Sequence, residues 1–198
     1  MIKRSLHMFL ICFVFVNILK ASEYEITVLA TNTANFGGIG EWSFSALLES
    51  ENETILFDTG FDENTVLHNA KLLKKDLSRV EKVILSHFHG DHTGGLIKLR
   101  QTFMGNNPKA FSRVFVAEGF FDQRYDVDGN LRGFIGGFNE VSKFKKEAQE
   151  LGIEFIILSD AYEIADNLVV SGPVERNVEK VVVSPGFYLK ENGLLVAD

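Results

Sequence analysis

Histidines are concentrated in one short stretch of this chain of 198 residues. Of the five histidines, three stand at His87, His89 and His92, with Asp91 among them, directly after the strand-like run Lys82–Ser86. Three histidines and an aspartate at the end of a strand are hard to explain as separate surface residues. Imidazole and carboxylate are typical ligands of zinc, iron and manganese. The stretch therefore predicts a metal site, and the fold has to bring these side chains together.

The spacing within this stretch favours two neighbouring ions. His87 and His89 are two positions apart, so in an extended segment their side chains leave the same side and can bind one ion. Gly90 allows a tight bend after them. Asp91 and His92 then lie on the following turn, where they can face a second ion. We expect two divalent metals, and the residue types do not choose among zinc, iron and manganese.

The rest of the sequence is typical of an α/β domain, because strand-like alternation is interrupted by segments with helical spacing. Helices are predicted over Asn64–Lys75, Gly94–Phe103 and Asn139–Leu151. The predicted strands are Glu25–Ala30, Trp42–Leu48, Thr54–Phe57, Lys82–Ser86, Val114–Ala117, Phe155–Leu158, Leu168–Val170 and Lys180–Val183, with a further strand beginning at Leu194.

A segment rich in glycine and phenylalanine, residues 119–137, shows no sustained period. Long excursions of this kind are often lids or binding loops. An irregular, packed cover over a sheet is an equally good interpretation. Within the segment, Asp126–Asn130 begins like a calcium loop, but its glycine falls too early and no glutamate closes the pattern, so it is predicted to be a turn.

The pattern His87-x-His89-x-Asp91-His92-Thr-Gly-Gly resembles that of the metallo-β-lactamase superfamily, and Asp58-Thr59-Gly60 matches an upstream motif of that family. A narrower resemblance is to the branch of the dihydropterin ribofuranosylaminobenzene-phosphate synthases and their exported hydrolase-like relatives. It is carried by Trp42–Leu48, by Leu85–Leu96 and by Ser171–Arg176, and in the last of these Glu175 replaces a proline common in that branch. The resemblance implies an αβ/βα sandwich, of which this chain holds the N-terminal half and part of the second half.

Roles for the site residues follow from the resemblance. His87 and His89 would hold the first metal, and Asp91 and His92 the second. Asp58 would orient the loop by hydrogen bonding. In hydrolytic members a metal-bound hydroxide attacks a carbonyl, ester or phosphoryl centre, and the resemblance implies that Asp91 would be the catalytic residue that orients this nucleophile or receives a proton. We therefore expect a metal-dependent hydrolase of an ester, phosphate or pterin-like small substrate, with no implication of β-lactam hydrolysis.

The later metal ligands of the family have no histidine counterpart here, since none follows His92. Glu118 is a candidate oxygen ligand, although a solvated loop glutamate is the stronger interpretation.

The sequence stops after Leu194–Asp198, where the related branch continues into more strands, so we expect a C-terminally truncated domain. Truncation would expose a sheet edge that invites self-association. The alternative function is a truncated, catalytically impaired or inactive metal-binding remnant; a di-iron oxidoreductase is disfavoured because it needs a complete ligand set.

Residues 1–21 are predicted to be a cleaved signal peptide. Lys3 and Arg4 precede the apolar run Leu6–Leu19, which is short beside the roughly 20 apolar residues of a membrane span. Cleavage would leave residues 23–198 as one metallo-β-lactamase-like domain, periplasmic or secreted, without a stable membrane span. An N-terminally anchored protein or a buried first strand are the alternatives.

The net charge limits the expected partners, and the cysteine content limits the expected metal ligands. The formal charge of −7 is a poor match for nucleic acid, so a small molecule is the expected partner. The single cysteine, Cys12, lies in the predicted signal peptide. Any metal in the mature domain is therefore expected to be held by nitrogen and oxygen.

Overall fold

The structure is a computed structural model that describes residues 24–174 and 186–197. The signal peptide predicted over residues 1–21 and the strand predicted over Lys180–Val183 lie outside the described residues and stay predictions. Within the described ranges, every helix is too short or too polar to cross a membrane.

A six-stranded mixed sheet forms the centre of the fold, with its strands side by side in chain order. The first three strands are antiparallel neighbours, and the third to sixth are parallel to one another. The parallel strands therefore end at one edge of the sheet. The strands are β1 (Glu25–Ala30), β2 (Ser45–Glu49), β3 (Thr54–Phe57), β4 (Lys82–Ile84), β5 (Arg113–Ala117) and β6 (Glu154–Leu158).

Three helices connect the parallel strands and cover one face of the sheet. Helix α1 (Thr65–Leu72) follows β3, α3 (Leu96–Phe103) follows β4 after the short α2 (Gly90–Thr93), and α4 (Val141–Glu150) follows β5. A parallel connection needs such a crossover, because the chain has to return to the opposite end of the sheet. The main hydrophobic core lies between these helices and the sheet, and it includes Leu56, Val83, Leu99, Val114 and Phe144.

The opposite face of the sheet carries a smaller apolar cluster that includes Ile55, Ile84 and Phe115. The hairpin of β7 (Tyr162–Ala165) and β8 (Leu168–Val170) packs against it through Ile164. Strands β9 (Tyr188–Glu191) and β10 (Leu194–Ala197) form a second hairpin. The predicted α/β class is confirmed by this mixed sheet with its helices. Self-association through an outer strand, β1 or β6, stays a prediction.

Two local predictions near the histidines were wrong. Residues 42–44 were expected to begin β2, but the strand begins at Ser45 because the backbone of Phe44 bonds to Asp91 O and Gly60 N instead. Gly90 was expected to form a tight bend, whereas it begins α2, in which the N–H groups of His92 and Thr93 donate to His89 O. The first difference arises because the histidine stretch bonds to a distant segment, and the second because local backbone hydrogen bonds close a helical turn.

The glycine-rich segment 119–137 serves in both of the ways that its sequence left open. Phe120 and Ile135 are buried in the main core, as expected of a packed cover. Arg132 and Phe134 instead line a cavity beside the histidines, as expected of a binding loop. The Asp126–Asn130 turn is confirmed, since Asp126 Oδ1 accepts hydrogen bonds from the backbone N–H groups of Asp128 and Asn130.

Candidate metal centre

Asp58 is a buried residue that supports the loop of the candidate site. It follows β3 directly, its N–H donates to Ile84 O at 2.8 Å, and its carbonyl accepts from Ser45 Oγ. These bonds hold its backbone at φ 55°, a conformation that side-chain-bearing residues adopt uncommonly. Its side chain is 1% exposed. The buried carboxylate therefore lies in a defined position beneath the loop that follows β4.

The Asp58 carboxylate organises that loop through three short contacts. Oδ1 accepts from the N–H of Ser86, and Oδ2 accepts from Ser86 Oγ and from His92 Nδ1, each at 2.7 Å. With Nδ1 engaged in this way, His92 is left with Nε2 for a metal. The hydrogen-bonding role expected of Asp58 is thus confirmed. The part played by Ser86 was missed, and its only signal is a small polar residue directly before the first histidine.

Burial and neighbouring charges move the pKa values of two histidines in opposite directions. Burial, reinforced by repulsion from His92 and His89, lowers the pKa of His87 to about 4. Burial also acts to lower the pKa of His92, but the hydrogen bond and charge of Asp58 and the charge of Asp91 outweigh it, so this pKa is raised. His87 is consequently neutral at pH 7, which is the state in which imidazole binds a metal.

His87, Asp91 and His92 converge, with one ligand atom from each within 4.8 Å of the others. Two imidazole nitrogens and a carboxylate oxygen, all partly buried, form a donor set that fits a divalent ion such as zinc. The centres of the His87 and His92 rings are 4.1 Å apart, and those of His87 and His89 are 4.6 Å apart. All four predicted ligands therefore lie together.

The side chains that lie together in the structure are grouped differently from the pairs that the sequence spacing suggested. His87 was paired with His89 on the assumption of an extended chain, but the chain bends at Ser86–Phe88. The bend brings His87 to Asp91 and His92, while the His89 ring also lies near Phe187, at 5.2 Å between centres. The assignment of ligands to two separate ions stays a prediction. Glu118 is exposed and lies outside the donor group found in the described residues.

Two glycines allow the loop that carries the histidines to approach the segment after β3 closely. A Cβ at Gly94 would collide with the carbonyl oxygen of Phe61, and one at Gly95 would collide with that of Thr59. This close approach lets Gly94 N donate to Gly60 O at 3.0 Å and Thr59 N donate to His92 O at 2.8 Å. The two glycines of the Thr-Gly-Gly part of the motif are thus required because side chains at these positions would prevent the contact between the two backbones.

A cavity of about 650 Å³ opens beside the donor group. His89 and Asp91 form part of its wall, and the remainder is mostly aromatic. The other lining residues come from four separate segments: Trp42, Phe61, Arg132, Gly133, Phe134 and Phe187. A binding role was one of the two interpretations of the glycine-rich segment that contains Arg132–Phe134, whereas none was assigned to Trp42, Phe61 or Phe187. The cavity is within the size range of small-molecule sites.

Replacing Asp58 with asparagine is expected to weaken zinc binding about 10–100-fold, the usual effect of removing the partner that orients a metal-binding histidine. Asparagine has one acceptor oxygen where the carboxylate has two, so it cannot serve both Ser86 and His92 as Asp58 does. Competition with a zinc-binding dye measures the affinity. Asp128→Asn, at an exposed position in a turn, is the matched control. Equal affinity in Asp58→Asn and the unaltered chain would contradict this role.

Comparison with known proteins agrees with this geometry. The chain is 28% identical over 193 residues to the 7,8-dihydropterin-6-methyl-4-(beta-D-ribofuranosyl)-aminobenzene-5'-phosphate synthase of Methanocaldococcus jannaschii, a match that covers 92% of this chain and 62% of the synthase. It is 34% identical over 116 residues to the ribonuclease Z of Thermococcus onnurineus, covering 50% of this chain and 36% of that protein.

The fold is similar to the crystal structure of Tm1679, described as a metal-dependent hydrolase of the beta-lactamase superfamily. The TM-score is 0.62 at 28% identity, and the match covers 89% of this chain and 57% of that one. This chain thus spans about 60% of the length of these two relatives. The model of the metallo-beta-lactamase superfamily matches residues 43–152, which include Asp58 and the whole histidine stretch. The chain therefore belongs to the metallo-β-lactamase superfamily.

Proposed function

We propose that this chain is a metal-dependent hydrolase that acts on an ester, a phosphate or a pterin-like small molecule. The observation that carries the proposal is the convergence of His87, Asp91 and His92 beside a cavity that can hold a small molecule. The suggestion of a pterin-like ring rests on the similarity to the dihydropterin synthase. The reaction class rests on the superfamily and on the donor set.

The proposal includes two divalent ions, zinc foremost, held by His87, His89, Asp91 and His92. A divalent ion supplies positive charge that polarises the bond under attack and makes water a stronger nucleophile at neutral pH. Asp91 is the proposed catalytic residue. Its Oδ2 lies 3.5 Å from His92 Nε2 and its side chain lines the cavity, so it is positioned to orient an attacking water or accept its proton.

The alternative is a chain that binds metal without catalysis. The observation in its favour is that the donor group within the described residues comprises His87, Asp91 and His92 alone. Such a group is sufficient for one ion but leaves the second with an incomplete set. Metal content and turnover together separate the two candidates.

Metal removal tests the proposed function. The purified chain is expected to contain about two metal ions and to hydrolyse 4-nitrophenyl butyrate or bis(4-nitrophenyl) phosphate. A chelator should abolish turnover, and zinc should restore it. His89→Ala is expected to reduce the metal content to about one ion, since the other three donors remain. Metal content by mass spectrometry and release of nitrophenol are the readouts. Tight metal binding without turnover would favour the alternative, and turnover unaffected by chelator would refute the proposal.

A further inference from the structure

The cavity beside the donor group is bordered by large aromatic side chains that are exposed to solvent. Trp42, Phe61 and Phe134 are 79%, 50% and 41% exposed, although they belong to three separate segments. Trp42 is also the single tryptophan of the chain. Large aromatic side chains contribute most to stability when they are buried, so their exposure around one cavity indicates a surface for a ligand. A flat aromatic ring is the group that such walls contact best.

Arg132 adds a positive charge to the same cavity, and its position is fixed by the chain around it. Its backbone N–H donates to Arg124 O at 2.9 Å, its Nη1 donates to Gly186 O at 2.7 Å, and its guanidinium carbon lies 4.8 Å from the centre of the Phe187 ring. A guanidinium held in this way has lost much of the rotamer freedom that binding would otherwise cost. The side chain is exposed, so its free donors are accessible to a ligand.

Arg132 forms no ion pair with another described residue. Its one side-chain hydrogen bond there is to a carbonyl, and the ion pairs found within residues 24–174 and 186–197 do not include it. The pKa of Asp126 is lowered mainly by hydrogen bonds from Asn130 and Asp128 and to a smaller extent by the charge of Arg132, which acts on that carboxylate from beyond ion-pair distance. The remaining N–H donors of the planar fork match the geometry of a phosphate or carboxylate. In a chain with a formal charge of −7, a basic group at this position is a specific feature rather than part of a general basic surface.

We propose that the cavity binds an aromatic substrate that carries an anionic group, phosphate or carboxylate, and that Arg132 binds this group. The ring lies against Trp42, Phe61 and Phe134, and the bond to be cleaved lies toward Asp91 and the histidines. Arg132 is thus a specificity-determining residue. The orientation of the reacting bond rests on the proposed hydrolase function, whereas recognition of the ring and the anion does not.

Fluorescence of Trp42 provides a direct test, because this side chain borders the cavity and the chain has no other tryptophan. The chain as purified is titrated with phenylphosphonate and phenylacetate, which combine a ring with an anion. Methylphosphonate supplies the anion alone and benzyl alcohol the ring alone. Binding of at least one aromatic anion is expected to be about tenfold tighter than binding of either partial probe, the effect of one charge-assisted hydrogen bond. The two aromatic anions distinguish phosphate from carboxylate recognition.

Arg132→Gln is expected to remove this advantage, weakening the binding of the preferred aromatic anion about tenfold while leaving benzyl alcohol unchanged. Arg132→Lys keeps the charge without the fork and is expected to retain part of the affinity. Arg113→Gln is the matched control, because Arg113 is exposed at the start of β5, the end of that strand away from the site. Thermal unfolding checks that each variant is folded.

Two outcomes would overturn the inference: equal affinity of the unaltered chain for phenylphosphonate, phenylacetate and benzyl alcohol, or unchanged affinity for the preferred anion in folded Arg132→Gln. Measuring turnover in the same samples separates this inference from the proposed function. Probe binding that depends on Arg132, without metal-dependent turnover of 4-nitrophenyl butyrate or bis(4-nitrophenyl) phosphate, would support the inference and favour the non-catalytic alternative to the hydrolase proposal. Metal-dependent hydrolysis together with probe affinities that do not change in Arg132→Gln would support the hydrolase proposal and refute the inference.

Discussion

Replacing His87 with alanine is expected to abolish turnover and to reduce zinc affinity by more than the about 10–100-fold that loss of an orienting partner costs. His87 is central to the site, since its ring centre lies 4.1 Å from that of His92 and 4.6 Å from that of His89. It therefore belongs to the ligand set whether it pairs with His89 or joins Asp91 and His92. Calorimetric titration with zinc and metal content by mass spectrometry measure the loss.

His68→Ala is the matched control for this substitution. His68 is a histidine of α1 whose Nε2 contacts Gly37 O at 2.8 Å, and it lies outside the donor group. We expect its replacement to leave zinc affinity and turnover unchanged. A His87→Ala chain that still bound zinc as tightly as the His68→Ala chain would show that the metal, if any, is held elsewhere.

Replacing Gly94 with alanine is expected to destabilise the fold by about 1–3 kcal/mol, the usual cost of forcing a methyl group into a filled space. Gly94 has helical angles, φ −63° and ψ −36°, so no backbone strain opposes alanine. Helix propensity alone would make alanine more stable by about 0.5–1 kcal/mol. The two effects differ in sign, and the contact of the new Cβ with Phe61 O decides which one prevails. Urea denaturation measures the change.

Gly105→Ala is the control, because a Cβ built at Gly105 has no atom within 4 Å. We expect this change to be neutral. The Gly94→Ala chain should also bind zinc more weakly, since Gly94 N donates to Gly60 O and a shift there moves the loop relative to Asp58. A Gly94→Ala chain as stable as the unaltered one would rule out the close backbone approach.

Much of the fold could be predicted from local patterns. The predicted helix Asn64–Lys75 corresponds to Thr65–Leu72, and the predicted strand Thr54–Phe57 is observed with those bounds. Helical spacing of apolar residues and alternation in strands are consequences of burial on one face, so they can be read without a tertiary structure. The strand Tyr162–Ala165 was not predicted, because three of its four residues lie outside the core and Ile164 alone is buried.

The candidate ligands were predictable, but their arrangement was not. His87, His89, Asp91 and His92 are close in sequence, and the types of their side chains indicate a metal site. Their grouping depends on a bend at Ser86–Phe88 and on the helical turn from Gly90. Both are stabilised by partners that are distant in sequence, above all Asp58, which is 28 positions from Ser86.

The sequence by itself determined the class of fold and the position of the candidate metal-binding stretch, because periodicity and ligand chemistry are properties of neighbouring residues. Only the tertiary structure decided what surrounds that stretch. Trp42, Phe61, Arg132 and Phe187 border one cavity although they are scattered along the chain. No local pattern relates them, since they are brought together by the parallel strands, which end at one edge of the sheet, and by the backbone bonds between Tyr125 and Tyr188. The site is therefore recognisable from its ligands, whereas its selectivity depends on the packing of distant segments.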